Sequence, residues 1–417
     1  MTEATLKKNS LWMMGGQALR AGVQLLYFVL IARALGSAQY GSFVAVTALV
    51  AIVAPFASWG SGNLLIKHTV RDRRAFSTYW GAAVATTLTT SLALTLVVVA
   101  VAQLALPPGL PLALLVLVAL SDLLFARLID VAGQAFQAFQ RLDRTAALQL
   151  LPALVRLAAA ALLFVLPVSK TALVWSSLFV VSTAISAACA LVWVRRDLGW
   201  GPLSMRPVVR EAREGGAFAL SLSAQSIYND IDKIMLARLV STEAAGIYAA
   251  AYRIVDTAFT PVRSVLYAAY ARFFQRGQAG LSGSTAFALQ LLPWTGGYSL
   301  LVAGALWLAA PILPLLFGSD FAATSEVLRW LSPLVLLKTL HYFAADALTG
   351  AGYQGTRSVV QVAVAVLNGL LNLWLLPRYG WLGAVWASLA SDLLLALVLW
   401  GIVGFKARKS PHPKQNI

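Results

Sequence analysis

The chain reads as a succession of long apolar stretches separated by short polar connections. Runs of roughly 20 mostly apolar residues, the length that crosses a bilayer as a helix, recur twelve times. They fall at about 11–32, 43–65, 80–104, 111–134, 146–166, 172–194, 216–238, 246–270, 286–309, 327–349, 358–376 and 382–404. Period-two alternation is absent, which excludes a membrane β-barrel. No connection is long enough for a soluble domain. The pattern predicts an all-α polytopic membrane protein with twelve transmembrane helices. The start "MTEATLKKNSLWMMGG" puts basic residues ahead of an apolar run, as a signal peptide does. That run is full span length and carries Arg20 in its middle, so it reads as the first transmembrane helix.

Composition agrees with this reading. The 417 residues are 59% hydrophobic and 12% charged, whereas a soluble domain is about half apolar and about a quarter charged. The single cysteine, Cys189, permits no intrachain disulfide. The net charge of +16 would fit a nucleic-acid binder, but its distribution argues otherwise. With the N-terminus placed in the cytoplasm, 20 of the 32 basic residues fall in cytoplasmic segments and five in the opposite loops. This positive-inside bias puts both termini in the cytoplasm. The remaining seven basic residues lie within spans, beside seven acids. The excess charge therefore reflects topology and contact with anionic lipid, and no nucleic-acid partner is expected.

The chain also repeats. "RALGSAQYGSFVAV" (Arg33 to Val46) aligns with "RLVSTEAAGIYAAA" (Arg238 to Ala251), matching Arg33 to Arg238 and Gly41 to Gly246. "AFQAFQRLDRTAALQ" aligns with "ALTGAGYQGTRSVVQ", matching Gln149 to Gln361. The order and offset predict two six-helix lobes. An even helix number gives both lobes the same orientation, so a parallel pseudo-twofold repeat is expected. The lobes are placed at 1–200 and 215–417, joined by a cytoplasmic linker at 201–214 and ending in a short basic tail.

Ionisable groups at membrane depth persist only when paired or wet. On the first span Gln17, Arg20, Gln24 and Tyr27 share a helical face. On the fourth, Arg127 and Asp130 begin a stripe that continues through Gln134 and Gln137; their i,i+3 spacing reads as a structural pair. The eighth span carries Arg253, Asp256, Arg263 and Tyr267, with Arg253–Asp256 at the same spacing. The tenth carries Lys338, His341 and Asp346, and His341 reads as a polar helix contact. The seventh concentrates its charge in "NDIDKIMLAR", where Asp230 and Lys233 share a face and Asp232 lies roughly opposite. One aspartate is therefore expected to pair with Lys233, and the other to face a cavity or a neighbouring helix. Arg20 has no acid within helical reach, which marks it for function.

Several stretches resemble the bacterial oligosaccharide flippase family, the polysaccharide transporters of the multidrug/oligosaccharidyl-lipid/polysaccharide exporter superfamily. They are "IARALGSAQYGSFV", "NDIDKIMLARLVSTEAAGIYAAAYRI", "LFGSDFAATSEVLRWLSP" and "LNLWLLPRYGWLGAVWAS". The resemblance covers nearly the whole chain. It implies a multi-pass protein of the bacterial inner membrane that carries polyprenyl-diphosphate-linked oligosaccharide across by alternating access. It implies that the polymerised products become the O-antigen of lipopolysaccharide, capsule or exopolysaccharide, with a polysaccharide polymerase and chain-length machinery as expected partners. For such a substrate, arginine suits the diphosphate. Arg20 leads, followed by Arg253 and Arg263, then Arg156 and Lys338; Gln17, Gln24 and Tyr27 suit sugar hydroxyls. Asp230, Asp232, Lys233, Asp256 and Asp346 are candidates for Na+ or H+ coupling or for gating. No cofactor or metal is expected.

Two alternatives stand beside this reading. A cation-coupled multidrug exporter of the same superfamily would want an acidic cavity. A membrane glycan polymerase or acyltransferase would want a large external loop or a deep catalytic histidine with a polar partner. The external loops are short and no nucleophile–base or nucleotide motif is present, so an enzyme is not expected.

Overall fold

The computed structural model describes the backbone of residues 3–409. Side chains are described for residues 19–406 except 21, 213, 214, 217, 218, 221, 222, 224 and 271. Gln17, one of the candidate sugar contacts, therefore lies outside the described side chains.

The described chain is helical throughout, and its helices follow the predicted spans. Helix α1 (3–35) ends at Gly36, whose backbone sits at φ 71, ψ 169 inside an otherwise continuous helix. A side chain is strained at that φ, so glycine permits the reversal. Helix α2 runs over 37–53, breaks at a 3-10 turn (Ala54–Phe56), and resumes at Ser61–Arg71. Then come α3 (Phe76–Ala105), α4 (Leu112–Ala138), α5 (Leu142–Val165) and α6 (Ala172–Asp197). A connecting segment leads to α7 (Ala212–Leu239) and α8 (Thr242–Gly277). The chain continues with α9 (Leu281–Ala309), the short helix Thr324–Leu331, α10 (Leu334–Gly350), α11 (Gln354–Tyr379) and α12 (Trp381–Lys409).

Among the described residues, eight helical stretches are long and apolar enough to span a membrane. Helices α7, α8 and α10 are not among them. The first two carry the charged stripes and α10 is only 17 residues long. Their membrane character follows from their place in the sequence of helices, not from composition.

The chain folds as two compact units, Met1–Gly246 and Ile247–Ile417. The first unit includes α7. Its core gathers Leu65, Phe76, Trp80, Leu128, Phe136, Leu148 and Val194 from α2 to α6, each nearly free of solvent. The two glycines matched by the repeat, Gly41 and Gly246, lie against each other in this unit. A Cβ on Gly41 would come within 1.7 Å of the Thr242 carbonyl oxygen, and one on Gly246 within 2.1 Å of that of Ser37. Small residues let membrane helices approach this closely.

The segment before α7 is clamped to α2 and α3. Glu211 accepts hydrogen bonds from Lys67 Nζ (3.2 Å) and the Tyr79 hydroxyl (3.1 Å), and His68 Nε2 lies 2.8 Å from Glu211 Oε1. His68 stacks on Tyr79 with ring centroids 4.1 Å apart. Burial raises the Glu211 carboxyl, but the bonds from Lys67 and Tyr79 and the nearness of His68 more than offset it, leaving the group below its ordinary value. Trp59 Nε1 donates to the Ala212 carbonyl at 2.9 Å. The N-terminal end of α7 is thus held where its middle turns reach a cavity.

Candidate functional site

A cavity of about 750 Å³ opens in the first unit. Helix α1 contributes Arg20, Gln24 and Tyr27, and the second half of α2 contributes Asn63. From α4 come Asp122, Arg127, Asp130, Gln134 and Gln137; from α5, Gln149 and Arg156; from α7, Gln225, Ser226 and Asn229. Helical periodicity brings these polar positions to one wall. The i, i+3, i+7 spacing on α1 and α4 turns each stripe toward the same space.

Three arginines face two aspartates here. Arg127 binds Asp130 at 2.9 Å, so the i,i+3 pair read from the sequence forms. It stands on the cavity wall, with Asp130 55% exposed. Arg156 Nη2 lies 3.8 Å from Asp122 and donates to Thr183 Oγ1 at 3.2 Å. Its guanidinium sits 4.3 Å from the centroid of Phe179, a cation–π geometry. Asp122 lies in a π-helical turn of α4, Leu120–Phe125. Such turns are rare and often mark functional positions. Among the described residues, no ion pair includes Arg20, whereas both other cavity arginines are paired.

The amide side is also shaped. Gln134 Nε2 lies 3.5 Å from Asn63 Oδ1, and its Oε1 occupies space that a Cβ on Gly62 would fill at 1.5 Å. The absence of a side chain at Gly62 admits the glutamine.

The candidates on α7 are arranged differently from expectation. The sequence sets the two aspartates on different sides, with a single Lys233 partner. In the structure the Lys233 ammonium reaches both, Asp230 at 2.7 Å and Asp232 at 3.7 Å. The flexible lysine stem bends back over its own helix, and Nζ also donates to the Asn229 carbonyl at 2.6 Å. Lys233 and Asp232 are both buried.

The remaining candidates belong to the second unit and do not line this cavity. Asp256 is engaged by more than the i,i+3 partner read from the sequence. Arg263, two turns along α8, binds it at 2.7 Å, and Lys338 of α10 lies 3.8 Å away. Lys338 also donates to the Tyr252 hydroxyl at 2.9 Å. Arg253 is exposed on α8. Asp346 is held by Arg357 at 3.2 Å. His341, read as a simple polar contact, meets Asp392 of α12 at 2.7 Å with both side chains buried.

Sequence reasoning did not single out Asp122, Asn63, Gln149, Gln225 or Asn229 as site residues. Asn63 follows a helix break that periodicity does not register. Asp122 is five residues before Arg127 and off its face in a regular α-helix; the wider π turn before Arg127 brings it round to the cavity.

The family model described as polysaccharide biosynthesis protein matches residues 6–275. No curated protein matches the chain. An inward-facing multidrug resistance MATE family transporter of the MOP superfamily superposes with a TM-score of 0.75 at 14% identity, covering 95% of this chain and 99% of that one. A MOP superfamily transporter from Pyrococcus furiosus, described by a binding pocket of reverse polarity, gives 0.65 at 15% identity over 97% of both chains. The MATE multidrug transporter DinF-BH gives 0.65 at 16% identity over 97% of this chain and 96% of that one. At these identities the likeness carries the fold alone. On the family match, the chain belongs to the polysaccharide biosynthesis protein family, a multi-pass membrane protein built on the fold of the MOP superfamily transporters.

Proposed function

We propose that the protein is a flippase for polyprenyl-diphosphate-linked oligosaccharide in the bacterial inner membrane, with both termini cytoplasmic. The observation that carries this reading is Arg20, a cavity arginine outside every ion pair described, in a space that also presents several side-chain amides and a tyrosine. Guanidinium groups donate several charge-assisted hydrogen bonds and suit a diphosphate. Gln24, Gln134, Gln149, Asn63 and Tyr27 offer both donors and acceptors to sugar hydroxyls. The cavity volume lies within the range of about 300–1,000 Å³ typical of ligand sites. The lipid tail stays in the bilayer while alternating access moves the head group. The reading extends to surface polysaccharide such as O-antigen, with a polymerase and chain-length machinery downstream.

Cation coupling through Asp230, Asp232, Asp256 or Asp346 requires displacing a basic side chain, since each already has one within 4 Å. The rival multidrug exporter draws support from the fold, yet three arginines against two aspartates do not favour a cationic drug.

A photo-reactive amino acid placed at Gln24 or Asn63 tests the reading. The expected product in cells is an adduct carrying phosphate, polyprenol and sugar, strongly reduced by Arg20→Ala. Adducts to bulk phospholipid alone, with or without Arg20, would count against it.

A further inference from the structure

The second unit contains a buried acid–base pair that the proposed cargo site does not use. His341 on α10 is 3% exposed and Asp392 on α12 is 4% exposed, with Nε2 2.7 Å from Oδ1. The ring is not aligned for a linear hydrogen bond, so the contact is first an electrostatic one. The other ring nitrogen, Nδ1, is buried with no hydrogen-bond partner among the described residues. A histidine with a purely structural role usually has its second nitrogen held by a carbonyl or carboxylate, which selects one tautomer.

An N–H on Nδ1 has no acceptor, and a bare Nε2 turns its lone pair to the Asp392 carboxylate at 2.7 Å. Neither arrangement of the ring satisfies every atom, so the pair is sensitive to the packing of the helices around it.

The surroundings tie the pair to helix packing. Trp400 Nε1 of α12 donates to the carbonyl of Leu340, the residue before His341, at 3.0 Å. Beside Asp392, Ser391 accepts from Asn368 of α11 at 2.9 Å, and Asn372 donates to Asn368 at 3.0 Å. Other titratable groups stand on the packed elements, among them the exposed Arg253 of α8 and Tyr248 of α8, whose hydroxyl meets Ser388 of α12 at 2.9 Å. On α10 they are Lys338, Tyr342 and Asp346. Tyr342 touches the His341 ring and is within electrostatic range of Asp392. On α8, Asp256 is engaged with Arg263 and Lys338, and Lys338 also reaches Tyr252. On α11, Arg357 is engaged with Asp346. Helix α9 offers only Tyr298, which donates to the Ala258 carbonyl. On the Thr324–Leu331 helix, Arg329 is exposed and lies over Trp307, beside Glu326 one turn earlier.

We propose that His341 and Asp392 form a reversible proton-binding site at the contact of α10 with α12, and that its occupancy sets how these helices pack. Lys338, one turn before His341, carries the change toward Asp256 and Tyr252. The inference does not depend on the identity of the cargo.

The test uses the full chain in lipid nanodiscs, labelled with 15N-histidine and 15N-tryptophan and titrated from pH 5 to 9. The chain has three histidines. His341 is assigned by its loss in His341→Gln, or by elimination in His68→Gln and His412→Gln if that variant does not fold. Trp400 is assigned with Trp400→Phe. A single His341 transition is expected within the titrated range. The Trp400 indole should shift at the same midpoint, and Asp392→Asn should move the His341 midpoint by more than about one pH unit, the scale of shift that a neighbouring charge produces. A His341 signal constant across the range, or a transition indifferent to Asp392→Asn, overturns the site. A Trp400 signal that ignores the transition overturns its coupling to packing. If Asp392→Asn does not fold, the two wild-type curves decide.

Discussion

Lys233 shows what a buried charge requires at the level of one residue. It holds Asp230 and Asp232 together, and Asp232 is almost wholly buried. Lys233→Met leaves two carboxylates without their cation. Breaking a buried pair in this way costs about 3–5 kcal/mol, so folded yield and thermal midpoint should fall sharply. Replacing all three, with Asp230→Asn and Asp232→Asn added, should restore most of the loss. Gly62 makes a milder case. A Cβ there meets the end of the flexible Gln134 side chain, not backbone. Gly62→Ala should therefore fold at normal level while displacing the amide, and transport measured on surface polymer should drop several-fold. Pairs within one helix, such as Arg127–Asp130, were legible because i,i+3 spacing alone brings them together. Pairs between helices were not: Asp122–Arg156, Asp256–Lys338 and His341–Asp392 depend on packing that periodicity does not encode.

Among elements, most spans were legible from apolar length and the helices follow them closely, whereas α7, α8 and α10 fall short of that measure. What length does not convey is interruption. The break of α2 at 54–60 and the π turn of α4 both reposition site residues. The Gly41–Gly246 crossing was visible in the sequence only as a repeat match. Gly41→Ala drives a Cβ into the Thr242 backbone. Since backbone yields less readily than a side chain, a loss of about 1–3 kcal/mol or more is expected, read as reduced folded protein in detergent extracts. The clamp on α7 carries a pH dependence. The Glu211 carboxyl is depressed by its partners, so its stabilisation is present above its ordinary value of 4.5 and is lost as pH falls through the lower folded value. Proteolysis of the 198–211 segment should be resisted at neutral pH and accelerate in that acid range. Glu211→Gln should show the faster cleavage already at neutral pH.

For the whole molecule, the division of labour follows the two units. The first holds a cationic, amide-lined cavity; the second holds the ion pairs Asp256–Arg263 and Asp346–Arg357 and the buried contact of His341 with Asp392. The central claim is that Arg20 serves a lipid-linked saccharide. The most direct measurement is made in a strain lacking this protein and any redundant transporter, complemented with wild type or Arg20→Ala at matched protein level. Lipid-linked saccharides and surface polysaccharide are quantified together. The account predicts accumulated polyprenyl-diphosphate oligosaccharide and lost surface polymer, both reversed by wild type and not by Arg20→Ala. Full rescue by Arg20→Ala, or unchanged lipid and polymer in the deletion strain, would contradict it.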